Sequence, residues 1–126
     1  MLGACNVIAF VATKQPERAK LFYSKTLGLR LVADTPFALV FDAGGTMLRI
    51  SKVGALTPAP YTVLGWKVPN IRVTVEHLTS GGVTFERYKG MPQDELGIWT
   101  TPDGDKVAWF KDPDGNTLSL THFHSE

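Results

Sequence analysis

Little in this chain favours a covalent staple, a membrane or a polyanion. Cys5 is the only cysteine among 126 residues, so neither an internal disulfide nor a CxxC site can form. No cation stands beside it in the sequence to hold a thiolate, so a buried, inert thiol near the first strand is expected. The longest apolar run, Val7 to Ala12, is far too short to span a bilayer. No basic stretch precedes the first apolar residues, so the start of the chain does not read as a signal peptide, and the cytoplasm is the expected location. Charge is nearly balanced, with 13 Lys and Arg against 12 Asp and Glu. Without a field of one sign, neither nucleic acid nor an anionic membrane is an expected partner. No Gly-rich phosphate loop follows a strand, and the three histidines support no Ser-His-Asp or Cys-His set.

What is present is a hydrophobic pattern repeated twice. Val7 to Ala12 reads as a buried strand. Gln15-Pro16-Glu17 starts a helix, with proline suited to the first helical position and Glu17 to the positive helix end. Ala19, Phe22, Tyr23 and Leu27 form its apolar face, and Gly28 is placed to stop it. Strands are expected at Leu29–Ala33, Phe37–Asp42 and Thr46–Ser51, with Gly44-Gly45 turning the last two. Residues 53–60, with two prolines and no period, read as a linker. The pattern then restarts. A strand runs from Tyr61 to Val68, and Asn70 caps a helix with Ile71, Val75 and Leu78 on its apolar face. Gly81-Gly82 ends that helix, and a strand at Val83–Tyr88 and a loop at Lys89–Leu96 follow. Turns at Pro102–Asp105 and Asp112–Gly115 bracket a strand from Lys106 to Lys111 and lead into a last one, Asn116–Phe123. The Asp112-x-Asp114-x-Asn116 spacing is a hairpin turn. A calcium loop would have its glycine at the sixth position and Glu at the twelfth, where this chain has Phe123.

The halves align, with a spacing that differs by one residue at the turn. Ala38-Leu39-Val40-Phe41, a glycine turn and Thr46–Ile50 match Val107-Ala108-Trp109-Phe110, a glycine turn and Asn116–Leu120. Val40 corresponds to Trp109, and Arg49 to Ser119. Neither half is long enough to bury a sheet face alone, so the expected organisation is one domain of two modules, about 5–52 and 61–124.

Two segments carry a family resemblance. Arg18-Ala19-Lys20-Leu21-Phe22-Tyr23 with Leu27-Gly28-Leu29, followed by Ala108-Trp109-Phe110-Lys111-Asp112-Pro113-Asp114-Gly115-Asn116, resembles the vicinal oxygen chelate superfamily. That group includes glyoxalase I, extradiol dioxygenases, fosfomycin-resistance enzymes and bleomycin-resistance proteins. The resemblance implies an α+β fold of two βαβββ modules whose sheets curl around a shared cleft, and a homodimer. In the family's metal enzymes each of four strands supplies one ligand, His or Gln on the first strand of a half and mostly Glu on the last. Carried onto this chain, those positions are Ile8, Arg49, Leu64 (or Val63, one residue earlier) and Ser119. Two are aliphatic, one is a cation and one is a weak ligand, so no metal and no cofactor are expected. A guanidinium there would repel a divalent ion by several kcal/mol at close range.

Residues two apart on a strand share a face. Phe10 beside Ile8, Met47 beside Arg49 and Trp66 beside Leu64 are thereby expected to line the cleft, together with Trp109. The candidate ligand-binding residues are Phe10, Arg49, Trp66, Trp109 and Ser119. Aromatics at inward positions serve equally well as plain core. Arg49 reads either as a fixed cation for a carboxylate, phosphate or enolate, or as a side chain whose head reaches water or a neighbouring acid. His77 falls on the polar side of the second helix, and His122 and His124 lie on the opposite strand parity from Ser119, in a solvated tail.

The leading functional expectation is metal-independent binding of a small, flat or amphipathic molecule, as the resemblance to bleomycin-resistance proteins implies. The near-neutral charge argues against bleomycin itself, a basic drug whose binders are acidic. The alternative is a lyase, isomerase or dioxygenase, using an unrecognised metal site or metal-free acid–base chemistry from loop carboxylates such as Asp94 and Glu95. A third reading is a partner-binding protein whose cleft is filled by side chains.

Overall fold

Alternation of apolar and polar residues yields two sheets, each with one face under a helix. The computed structural model describes residues 1–125. Its chain divides into two units, residues 1–57 and 58–126. In the first unit β1 (Ile8–Thr13) leads to α1 (Pro16–Leu21), then β2 (Arg30–Asp34), β3 (Ala38–Ala43) and β4 (Thr46–Lys52). The sheet order is β1-β4-β3-β2, with β1 parallel to β4 and the remaining pairs antiparallel. The second unit repeats this scheme with β5 (Thr62–Lys67), α2 (Ile71–Ser80), β6 (Trp99–Thr100), β7 (Lys106–Lys111) and β8 (Thr117–His122). Its order is β5-β8-β7-β6, again with one parallel pair, β5 and β8. The topology is therefore α+β with two βαβββ modules. No helix among the described residues is long and apolar enough to cross a membrane.

Each core lies on one sheet face. In unit 1, Leu39, Phe41, Leu48 and Ile50 are fully buried and share the face of Val11 by register. Tyr23 covers that face, its ring 5.9 Å from Phe41. A single π-helical turn, Phe22–Thr26, continues α1, and Gly28 (φ 76°) ends it in the left-handed conformation glycine tolerates. In unit 2, Ala108, Phe110, Leu118 and Leu120 form the equivalent face, under α2 and its buried Ile71, Val75 and Leu78. Each large apolar side chain buried this fully contributes about 1.5–3 kcal/mol. Two acceptors close the start of α2. Asn70 Oδ1 accepts from the Val73 N–H at 3.2 Å, as its position in the sequence predicts. His122 Nδ1 accepts from the Ile71 N–H at 3.3 Å, a role that the solvated-tail reading missed.

Three expectations are corrected. The first strand is buried on one face only: Val11 and Thr13 are covered, while Ile8 and Phe10 are 46% and 60% exposed. Cys5 is exposed, because it follows a short 3-10 turn (Leu2–Ala4) that contributes nothing to the core. The expected strand at Val83–Tyr88 is reduced to one bridge, Phe85 to Phe110. The Gln93 side chain intervenes there, accepting from the Tyr88 N–H and donating to the Glu86 carbonyl. Backbone groups that would pair with a strand are thus satisfied by one amide, and the short β6 borders β7 instead.

Candidate ligand-binding faces

The face of each sheet turned away from its helix carries the side chains available for binding. In unit 1 the parallel register sets Ile8 beside Met47 and Phe10 beside Arg49, and the antiparallel register sets Val40 on the other side of Arg49. Phe10 and Arg49 thus share one face, as their sequence parity predicts. Met47 is 43% exposed and Arg49 is half-buried. The acid on this face, Asp42, opposite Met47, is already engaged. Its carboxylate accepts from the Gly45 N–H at 2.8 Å and from Arg30 at 3.2 Å. These two contacts, the backbone N–H first, hold the Asp42 carboxyl below its ordinary value.

In unit 2 the open face carries Trp109 and Ser119, directly opposite each other, with Lys111 opposite Thr117. Trp66 is not on this face. Between Thr62 and Leu64 the register with β8 slips by one residue, so Gly65 stands opposite Ser119 and Trp66 opposite Leu120. A bulge of this kind reverses the parity of every residue after it. Trp66 and Leu64 are therefore on the helix-covered face, where Trp66 stacks on Phe110 at 6.5 Å and 21°. The slip was not legible in the hydrophobic pattern, since Tyr61 to Val68 offers apolar residues on both parities.

Trp109 lies at the centre of an aromatic cluster. Tyr88 meets it edge-on at 5.4 Å, and Trp99 stacks on it at 6.1 Å and 30°. Trp109 and Tyr88 line an open groove of about 750 Å³, together with Pro58, Tyr61, Met91 and Lys111. Burial, with a smaller push from Glu86, holds the Tyr88 hydroxyl above its ordinary value, so at neutral pH it remains a hydrogen-bond donor beside the groove. Ser119 is nearly buried and lies outside the groove lining. Met91 and Tyr61 were not foreseen, because the pattern assigns them to a loop and a strand end.

The loop carboxylates are committed to structure. Asp94 Oδ1 accepts from the N–H groups of Leu96 and Ile98, and Glu95 is bound by Arg72 at 2.7 Å. That ion pair lowers the Glu95 carboxyl below its ordinary value.

The model of the Glyoxalase/Bleomycin resistance protein/Dioxygenase superfamily matches residues 5–120. The chain belongs to this superfamily. Among solved structures, a superfamily member from Sphaerobacter thermophilus is similar at 25% identity and a TM-score of 0.76, over 98% of this chain and 100% of that one. Lactoylglutathione lyase from Agrobacterium tumefaciens is similar in fold at 14% identity and a TM-score of 0.74, over 94% and 93%. A glyoxalase family protein from Bacillus anthracis, at 19% identity, has a TM-score of 0.73 over 97% and 98%. No curated protein matched the sequence.

The register also decides which residues occupy this superfamily's metal-ligand positions. Phe10 pairs with Arg49, and Gly65 pairs with Ser119. Thr62 pairs with Thr117 as Ile8 pairs with Met47, so Thr62 is the register counterpart of Ile8 and Val63 is the extra residue of the bulge. Ile8, Arg49, Ser119, Thr62 and Val63 include no imidazole, carboxamide or carboxylate, and they do not fit a divalent ion. No group of three or more His, Cys, Asp or Glu side chains suited to a metal occurs among the described residues.

Proposed function

We propose that this superfamily member binds a small, flat, amphipathic organic molecule in the aromatic groove of its second unit, without a metal. The observation that carries the reading is the exposed side of Trp109, which lines the groove and is fixed by Tyr88 and Trp99. Ring packing from two sides limits the indole's freedom, so little conformational entropy is lost when a ligand stacks on it. The groove volume of about 750 Å³ lies within the roughly 300–1,000 Å³ of ordinary small-molecule sites. Lys111 and the Tyr88 hydroxyl supply polar contacts at its edge, the usual way such sites orient a ligand. The side chains at the superfamily's ligand positions support metal independence.

A thermal-shift screen of the purified protein tests this, using planar aromatic compounds and divalent metals, with Trp109→Ala alongside. A ligand at 100 times its Kd stabilises the fold by about 2.7 kcal/mol, a readily measured rise in Tm. The expected result is a shift with planar compounds that Trp109→Ala abolishes. A divalent metal that alone raises Tm, and binds one ion per chain, would overturn metal independence.

A further inference from the structure

Arginines in this protein are consistently engaged, with one exception. Arg18 donates to Gln15 Oε1 at 2.8 Å, Arg30 to Asp42 at 3.2 Å and Arg72 to Glu95 at 2.7 Å. Arg87 donates to the carbonyls of Asp94 and Glu95. All four are exposed. Arg49 is half-buried, yet it makes no hydrogen bond or ion pair among the described residues. The arginine withdrawn furthest from water is the one without a partner. Partial desolvation of a guanidinium is costly unless an anion or a set of acceptors offsets it, and folding supplies neither.

The surroundings restrict what that anion is. Phe10 and Val40 flank Arg49 in register, and Met47 is two residues along its own strand. Phe10, Ile8 and Met47 form an exposed apolar patch on the same face. The other cation there, Arg30, is taken up by Asp42. One free guanidinium matches one negative charge, and the Asp42 carboxylate opposite Met47 disfavours a second. A planar guanidinium fork fits a planar carboxylate through two parallel N–H···O bonds. The apolar patch fits a hydrocarbon body attached to that carboxylate.

We propose that the open face of the first sheet is a site for a monocarboxylate with an apolar body, anchored by Arg49 and packed on Phe10. The site is separate from the aromatic groove and goes beyond the small-molecule reading proposed for it. It stands on unit 1 alone, so the two fail separately.

The test is a titration of the full chain, ¹⁵N-labelled, with sodium benzoate, benzamide and inorganic phosphate. The Arg49 Nε–Hε resonance is assigned with Arg49→Lys, and the Trp109 indole N–H serves as the report from the groove. Benzoate is expected to move the Arg49 and Phe10 signals saturably, benzamide and phosphate much less. Arg49→Met is expected to weaken benzoate binding at least about tenfold, with an unchanged Tm showing that it still folds. Arg49→Lys, which keeps the charge but loses the fork, should fall between. Equal responses to benzamide, stronger responses to phosphate, or undiminished binding by Arg49→Met would each overturn the proposal. So would an Arg49 signal unmoved by about 50 mM benzoate, a Kd too weak to count as a site. Signals that move on diluting the protein and not on adding benzoate would instead mark the face as a contact between copies. Movement of the Trp109 signal alone would leave the groove reading standing without this one.

Discussion

A side chain on Gly65 would collide with Ser119: a Cβ built there lies 2.6 Å from the Ser119 Oγ. The contact arises because the bulge after Thr62 brings Gly65 directly opposite Ser119 in the β5–β8 pairing. It makes a strong test of the register that also removes Trp66 from the open face. Gly65→Ala should destabilise the fold by about 1–2 kcal/mol through overpacking. The Ser119 Cβ is 3.9 Å from the same point, so Gly65→Ala/Ser119→Ala should recover most of that loss. A double-mutant cycle in urea measures it. Additive effects would mean that Gly65 and Ser119 are not opposed.

The hairpin between β7 and β8 depends on one carboxylate. Asp112 Oδ1 accepts from the N–H groups of Asp114 and Asn116, both at 2.9 Å, and Oδ2 accepts from the Asn116 side chain at 2.9 Å. All three residues are nearly buried. Asp112→Ala strips the acceptor from two backbone donors and should cost about 2–4 kcal/mol in equilibrium denaturation. Asp112→Asn keeps one oxygen and should cost less. If the two variants are equally stable, the turn does not rely on the side chain.

Asp34 sits between two lysines, with Lys52 at 2.6 Å and Lys20 at 3.2 Å. Hydrogen bonds from Lys52, then Lys20, lower its carboxyl below the ordinary value. A carboxyl depressed on folding stabilises the native state above its unfolded pKa, and that contribution disappears as pH falls through the folded pKa. Asp34→Asn should therefore lower Tm at neutral pH and leave it nearly unchanged at the acid end. Salt should shrink the neutral-pH difference, since the pair is partly exposed. A Tm difference that persists at low pH would contradict the assignment.

Trp109 is both groove lining and structural contact, and the two roles separate by substitution. Trp109→Ala loses the ring contacts with Tyr88 and Trp99 and should destabilise by about 2 kcal/mol, less than a fully buried tryptophan would. Trp109→Phe retains a ring and should cost under about 1.5 kcal/mol while still weakening ligand stacking. Chemical denaturation and a ligand-induced Tm shift, measured on both variants, distinguish the contributions.

The local rules of the chain were legible without coordinates. Pro16, Gly28 and Asn70 mark helix boundaries because each has a backbone preference independent of its neighbours. The duplicated strand pattern implied the duplicated topology, since the same order of apolar strands, helix and glycine turns recurs in both halves. The family's ligand positions, carried onto the chain by its motifs, fell at Ile8, Arg49 and Ser119, side chains that argue against a bound divalent ion. Tertiary structure decided three further matters. The bulge at Val63 is a property of how β5 meets β8, and a one-residue slip moves Trp66 to the opposite face without altering its hydrophobic neighbours in sequence. The strand expected at Val83–Tyr88 lost its ladder to Gln93, a competitor several residues distant. Arg49 has no counter-ion among the described residues, and the acid on its sheet face, Asp42, is bound by Arg30 and by a turn N–H. Which of two nearby cations an acid chooses depends on distances in space, and residue order does not encode those.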